Sequence, residues 1–94
     1  MNSTQKKFLK SHAHHIKNVV SLGSAGITPN FIKEVIATIN AHELIKIKIT
    51  GETKAEKQLK AQEISSLTAS EFIQIIGNQA TFFKLNPDQN KFNL

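Results

Sequence analysis

Three stretches of the chain carry apolar residues at the three- and four-residue spacing of an amphipathic helix. The clearest begins after Thr28, which can cap a helix whose first residue is Pro29, because the first helical position needs no N–H donor. At about 100° per residue, its apolar side chains cover one arc of about 140°. These side chains are Phe31, Ile32, Val35, Ile36 and Ile39.

A first helix is predicted over residues 5–17, with Ser3 and Thr4 available to cap it. Its apolar arc consists of Phe8, Leu9, Ala13 and Ile16. The opposite arc carries five basic side chains, named here the basic stripe: Lys6, Lys7, Lys10, His14 and Lys17.

A third helix is predicted to begin after Thr53 and to end near Thr68. Thr53 and Glu56 have the spacing of a capping box, in which each side chain accepts a bond from the other residue's backbone N–H. The apolar arc expected to pack against the core is thinner here: Leu59, Ile64 and Leu67.

Four short segments have the pattern of β-strands. Residues 44–50 alternate without interruption, placing Ile45, Ile47 and Ile49 on one face and two lysines on the other. Residues 18–22 form a second strand, which Gly23 ends. The last two strands, 71–76 and 80–85, flank residues 77–79, whose Gly-Asn step favours a hairpin turn.

The predicted order is α-β-α-β-α-β-β, which implies a single compact α/β domain with a mixed four-stranded sheet. We assign residues 1–87 to this domain. Residues 88–94 are predicted to be a polar, frayed tail, although Phe92 could fold back onto the domain.

Composition excludes several classes of protein. The 94 residues contain no cysteine, which excludes a disulfide framework, a thiolate metal site and a cysteine nucleophile. No apolar run is long enough to cross a membrane, and residues 1–10 lack the apolar core of a signal peptide. We therefore expect a soluble, cytoplasmic protein. We also expect it to be a monomer.

The net charge of +5 is concentrated in the first third of the chain. Residues 1–33 contain five lysines and no acid, whereas residues 34–94 contain seven lysines and seven acids. Such a localised field attracts polyanions, so nucleic acid or an anionic membrane surface is the leading class of partner, and RNA or DNA is favoured. Two alternatives stay open: an ordinary solvated helix face, and an adaptor that docks this helix on an acidic protein.

The motif Gly23-x-x-Gly26 lies just before the second helix. A glycine pair lets the backbone turn sharply and approach a ligand, and the helix start that follows has unpaired N–H groups and a positive dipole end. This combination favours a phosphate of a nucleic acid backbone. A plain turn is the alternative.

The remaining chemistry points away from catalysis and metal binding. The segment His12-Ala13-His14-His15 is dense in imidazoles, but no acid lies near it, and His12 falls on the apolar arc, where a partly buried histidine is expected. The only aspartate, Asp88, is in the tail. We expect no enzyme activity, no cofactor and no small-molecule substrate.

The sheet provides a second candidate surface. Aromatic and polar side chains there resemble an RNA-binding platform if they share one face, unless a helix covers the phenylalanines. The residues in question are Lys46, Lys48, Phe72, Gln74, Phe82 and Lys84.

Several segments, in this order, resemble the CRM domain, and most closely its stand-alone bacterial form, the YhbY family. The segments are Gln5-Lys6-Lys7-Phe8-Leu9-Lys10, Ala13-His14-His15, Val19-Val20, Gly23-x-x-Gly26-Ile27-Thr28, Glu43-Leu44-Ile45-Lys46-Ile47-Lys48 and Ile76-Gly77.

This resemblance implies a fold similar to the C-terminal domain of a bacterial translation initiation factor. It also implies binding to RNA of precursor large ribosomal subunits, and hence a role in ribosome assembly. The RNA-contacting residues that it implies are the basic stripe together with Gly23, Ser24, Ala25 and Gly26. We add Thr28, which caps the helix after the loop, to the predicted RNA-binding residues.

The sequence departs from the family pattern at three points. Ser24 stands where the family often has lysine, so a phosphate there would depend on backbone N–H groups. His12 replaces an apolar residue, and lysine replaces arginine throughout the basic stripe. Lysine cannot make the bidentate guanidinium contact to guanine, so we expect contacts to the RNA backbone rather than base reading by the stripe.

Overall fold

The described residues form seven secondary-structure elements, in the order that the apolar pattern predicts. The computed structural model describes residues 1–17 and 19–94. The elements are α1 (Ser3–Ala13), β1 (Val19–Ser21), α2 (Pro29–His42), β2 (Leu44–Lys48), α3 (Lys54–Thr68), β3 (Glu71–Ile76) and β4 (Gln79–Phe83). The predicted start of the first strand at position 18 lies outside the described residues.

The four strands form one mixed sheet in the order β1-β2-β4-β3, which confirms the predicted fold class. β1 runs parallel to β2, and the other two pairs are antiparallel. The Leu22 N–H donates to the carbonyl of Lys48 at 3.0 Å, so hydrogen bonding continues one residue past β1. β3 and β4 are joined by a two-residue turn at Gly77 and Asn78.

Helices α2 and α3 cover one face of the sheet and enclose the main core. Ile45, Ile47 and Ile49 are fully buried in it, which confirms the alternation predicted for this segment. Thr28 caps α2 as predicted, because its hydroxyl accepts the Phe31 N–H at 3.1 Å. Phe31, Val35 and Ile39 form the buried side of α2, while Ile32 packs at its edge.

Helix α1 covers only one end of the opposite face, together with the C-terminal residues. A second cluster joins Leu9 of α1 to Leu44, Ile73 and Phe83 of the sheet. Residues 88–94, predicted to fray, pack against this cluster through Phe92 and Leu94. The alternative in which Phe92 folds back is therefore the observed arrangement.

The buried carboxylate of Glu43 anchors this C-terminal segment. Glu43 is fully buried between α2 and β2, and its two oxygens accept the N–H groups of Asn86 and Lys91 at 2.8 and 2.6 Å. The Lys91 ammonium also donates to the carbonyl of Ala41 at 3.2 Å. Residues 88–94 are ordered by polar contacts to the end of α2 and by apolar contacts to α1. Their composition alone predicts a loose tail.

Both ends of α1 differ from the prediction. The N-cap is Asn2 rather than Ser3 or Thr4, and Asn2 forms a reciprocal capping box with Gln5. The helix ends at Ala13, since the His15 N–H turns back to the carbonyl of His12 at 3.0 Å. Ile16 still reaches the second cluster, but from the link to β1 rather than from the helix.

The packing face of α3 also differs from the prediction. Ala61, Ile64 and Thr68 are the buried side chains, while Leu59 and Leu67 are 67% and 53% exposed. The small alanine lets α3 lie close to the sheet, and the three-and-four spacing of the buried residues sets the face. The hydroxyl of Thr53 accepts the Glu56 N–H as predicted, but the Glu56 carboxylate accepts the Glu52 N–H, so only half of the capping box forms.

This arrangement predicts opposite outcomes for two apolar residues of the same helix. We expect Leu59→Ser to change the free energy of unfolding by less than about 0.5 kcal/mol, because the side chain is exposed. Ile64→Ala should lower it by about 2–4 kcal/mol, because a cavity forms in the core. Urea denaturation of both variants measures the difference, and equal losses would contradict the observed orientation of α3.

Candidate nucleic-acid interface

The basic stripe occupies one flank of α1. Lys7, Lys10 and His14 follow each other at three- and four-residue spacing, which places them on one side of the helix, and all three are exposed. Lys6 lies half-buried between this flank and the core. With no acid among residues 1–33, no intrahelical ion pair offsets these charges.

Lys17 is not on the helix, contrary to the prediction. Because α1 ends at Ala13, Lys17 lies in the link to β1, where its carbonyl accepts the Val19 N–H at 3.0 Å. Its side chain is exposed. The structure therefore brings four members of the basic stripe together on α1 and at its cap, and places the fifth directly before the sheet.

The other flank of α1 is aromatic. The ring of His12 meets the rings of Phe8 and Phe92 edge-on, at centroid distances of 4.6 and 5.2 Å. His12 is exposed, so the prediction of a partly buried core histidine is wrong, and Phe8 is 41% exposed. Contact with the C-terminal segment explains why aromatic side chains occupy this side. Among the described residues, the lysine flank makes no aromatic contact.

The Gly23-x-x-Gly26 loop forms a β-turn at the far end of β1. The Gly26 N–H donates to the carbonyl of Gly23 at 3.1 Å, and the Thr28 N–H donates to the carbonyl of Gly26 at 3.0 Å. Gly26 has a φ of +80°, a conformation that L side chains rarely adopt, so the turn itself requires this glycine. Gly23 has no positive φ, and a Cβ at this position would meet open space. The fold therefore does not require a glycine at position 23.

The tip of the loop presents backbone rather than charge. Ser24 and Ala25 are exposed, and within the described part of the chain their N–H groups have no hydrogen-bond acceptor. The cleft beside the loop is lined by Lys60 and Glu63, whose opposite charges offset each other. Thr28 contributes its hydroxyl to the cap of α2 and is only partly exposed.

The loop and the basic stripe lie at opposite ends of β1. Gly23 lies four positions after Val19, a span of about 13 Å at about 3.3 Å per residue. The sheet face between them is the one that α1 covers only in part. Lys46 and Lys48 face this side, because they pair with Val19 and Ser21 while the isoleucines of β2 point into the main core. A basic track thus runs from α1 over β2 to the loop.

The strand register contradicts the prediction that phenylalanines and lysines share one face of the sheet. Phe82 pairs with Ile45, and Phe72 pairs with Phe82, so both rings lie under α2 and α3, away from Lys46 and Lys48. A β-bulge between Phe72 and Gln74 turns Gln74 to the lysine side, where it pairs with Thr81. The hypothesis of helix-covered phenylalanines is therefore correct, and the open face is polar instead of aromatic.

Two polar residues of this open face were not predicted from the sequence. Gln79 and Thr81 belong to β4, and with Lys46 and Gln74 they line a pocket of about 140 Å³ beside the end of α1. Because these two residues alternate with Ala80 and Phe82, the sequence indicates that they face away from the apolar side. The strand register was needed to show that this side is the open face of the sheet.

The described residues contain neither a cluster suited to a metal ion nor a membrane-spanning helix. Over residues 1–17 and 19–94, no group of three or more His, Asp or Glu side chains is arranged to hold a metal ion. Within the same residues, no helix has the length and apolar character needed to span a bilayer.

Comparison with known proteins assigns the chain to a family. The model of the CRS1 / YhbY (CRM) domain matches residues 1–84, and the chain belongs to this family. An RNA-binding protein of Haemophilus influenzae is 37% identical over 84 residues, covering 89% of this chain and 85% of that protein. The "Probable RNA-binding protein YqeI" of Bacillus subtilis is 29% identical over 94 residues, covering 100% and 98%.

A solved structure has the same fold. The solution structure of the hypothetical protein SAV1595 from Staphylococcus aureus, a proposed RNA-binding protein, superposes with a TM-score of 0.80 at 31% identity. The match covers 92% of this chain and 90% of the other.

Proposed function

We propose that this protein binds RNA without catalysing a reaction, and that the basic stripe of α1 and the Gly23-x-x-Gly26 loop hold one RNA strand across the open face of the sheet. The observation that carries this proposal is the track of lysines that joins the two elements, on a face free of α2 and α3. The names of the relatives from H. influenzae and B. subtilis support RNA as the polyanion.

The chemistry of the track favours contacts to the phosphates. Every cation on it is lysine or histidine, since the chain contains no arginine. A lysine ammonium neutralises a phosphate as a point charge and has no fork for bidentate base reading. At the loop, the exposed N–H groups of Ser24 and Ala25 would donate to a phosphate oxygen, as uncharged backbone groups do in other anion-binding loops.

Salt dependence tests this function. If about four lysines neutralise phosphates of a single strand, the logarithm of the binding constant should fall with the logarithm of salt concentration at a slope of about −3. Fluorescence anisotropy with a labelled single-stranded RNA measures this slope. A slope near zero, together with tight salt-sensitive binding to an acidic protein, would support the adaptor alternative instead.

The two glycines of the loop provide a second test. Gly26→Ala should lower the free energy of unfolding by about 1–2 kcal/mol, because alanine is strained at positive φ. Gly23→Ala should leave stability unchanged within about 0.5 kcal/mol, because neither φ nor space restricts the position. If the loop approaches RNA closely, Gly23→Ala should still weaken RNA binding several-fold. Unchanged RNA affinity in Gly23→Ala would identify the motif as a plain turn.

We further propose, from the resemblance to the YhbY family, that the RNA partner is ribosomal RNA of precursor large subunits and that the protein acts in their assembly, as a monomer in the cytoplasm. Sedimentation of the native protein from lysate on sucrose gradients at low and high salt tests this partner. Comigration with large-subunit precursors that high salt abolishes is the expected result. Protein at the top of the gradient in both salts would reject the ribosomal partner while leaving RNA binding intact.

A further inference from the structure

The pocket between the end of α1 and the open half of the sheet has the composition of a site for a flat heteroaromatic ring. It is lined by His14 on the helix side, by Ile76 of β3, and by polar side chains of β3 and β4. Ile76 is 56% exposed, which is unusual for an isoleucine in a sheet and leaves an apolar surface beside the cavity. An imidazole and an aliphatic side chain both provide the faces on which a base can stack.

The polar side chains of the pocket have free hydrogen-bonding capacity. Thr81 lines the cavity and is 3% exposed, and its hydroxyl bonds to no other described residue. No buried side-chain oxygen or nitrogen of the described residues lacks a partner, so this hydroxyl is open to the cavity rather than sealed in the core. Gln74 and Gln79 line the same cavity, and neither side-chain amide is engaged by another described residue. Hydroxyl and amide groups together offer donors and acceptors of the kind that base edges pair with.

The location of the pocket restricts the class of ligand. Lys46 lines it, and Lys10 lies one helical turn before His14, so the cavity opens on the basic track between α1 and the loop. No acid is among the residues that line it. Its volume of about 140 Å³ has room for one ring system, while the sugar and phosphate of the same nucleotide stay outside with the lysines.

We propose that this pocket receives one unpaired nucleobase of the bound RNA strand. The base stacks between His14 and Ile76, its edge bonds to Gln74, Gln79 and Thr81, and Lys46 holds the adjoining phosphate. This inference rests on the proposed RNA-binding function. It adds a base contact to a surface whose other contacts are to the backbone.

The test compares strands with and without bases. The probes are single-stranded RNA homopolymers and an abasic ribose-phosphate strand of equal length and label, measured by anisotropy at one salt concentration. The wild-type protein should bind the best homopolymer about tenfold more tightly than the abasic strand, the contribution expected of one stacked base. Thr81→Val combined with Gln79→Ala should abolish most of this preference while leaving affinity for the abasic strand unchanged.

Control variants separate the possible outcomes. Gln62→Ala on the exposed side of α3 removes an amide away from the pocket and should keep the preference. Gln79→Ala alone, at an exposed position, serves if the double variant does not fold. An unchanged base preference in the pocket variants would overturn the proposal, and it would not contradict the proposed RNA-binding function. Absence of wild-type binding to every strand would instead overturn the proposed function.

Discussion

Reversing two charges of the basic stripe, with Lys7→Glu and Lys10→Glu, is expected to weaken RNA binding on the order of 100-fold at moderate salt. Both side chains are exposed on the flank of α1 that borders the open face of the sheet. Each substitution removes a phosphate contact and adds a charge that repels the strand, and about 1.4 kcal/mol corresponds to a tenfold loss. Neither residue belongs to a core cluster, so the Tm should stay within a few degrees of the wild-type value.

A charge-matched variant distinguishes this surface from a general effect of net charge. Lys33→Glu with Lys54→Glu also lowers the net charge from +5 to +1, but these exposed lysines lie on α2 and α3, across the sheet. We expect that variant to retain RNA affinity within a few-fold. If both double variants lose affinity equally, the attraction is non-specific and the basic stripe is not the contact surface.

Replacing the buried carboxylate, with Glu43→Ala, should destabilise the protein more than any surface change. The two backbone N–H groups bonded to Glu43 lose their acceptors, and hydrogen bonds to charged groups contribute about 1.5–3 kcal/mol each. A loss of about 3 kcal/mol corresponds to a fall in Tm of roughly 12–24 °C for a domain of this size. Thermal unfolding followed by circular dichroism measures it.

The contribution of Glu43 should depend on the C-terminal segment that it anchors. Removing residues 87–94 should cost less stability in Glu43→Ala than in the wild-type chain, because one of the contacts that hold the segment, the Lys91 N–H bond to Glu43, is already lost. Glu71→Ala, at an exposed carboxylate, is the control and should change the free energy of unfolding by less than about 0.5 kcal/mol. Additive losses from the truncation and from Glu43→Ala would contradict the anchoring role.

Local sequence patterns were sufficient to predict an element wherever one interaction determines its position. The alternation in β2 has a single solution, with the isoleucines in the core, and Thr28 followed by Pro29 sets the start of α2. The order of elements and the mixed sheet follow from these patterns together with the short connections between them.

Features that depend on distant contacts were not predictable in this way. Leu59 and Leu67 resemble a core arc, but Ala61 and Thr68 pack more closely and turn α3 so that the leucines face solvent. The β-bulge beside Phe72 interrupts the alternation of side chains in β3. The residues after the bulge therefore face the opposite side of the sheet from the side that uninterrupted alternation would give them. Residues 88–94 are ordered by a carboxylate more than forty positions away in the chain.

The candidate site was predictable in its parts and not in its assembly. The absence of acids marks the basic stripe, and the glycine spacing marks the loop, but their relation across β1 required the sheet. Lys17 was assigned to the stripe because helical periodicity continues past Ala13, whereas the chain turns at His15. The pocket with Gln79 and Thr81 is formed by three separate elements, so no single segment shows it.

A titration of ¹⁵N-labelled protein with single-stranded RNA, followed by amide chemical shifts, tests whether RNA lies across α1, the open face of the sheet and the loop. We expect shifts concentrated at Lys10 and His14, at Lys46 and Lys48, and at the loop residues 23–26. The amides around Leu59 and Leu67 on α3 should stay unchanged. Shifts centred on α3, or spread evenly over the molecule, would contradict the proposed surface.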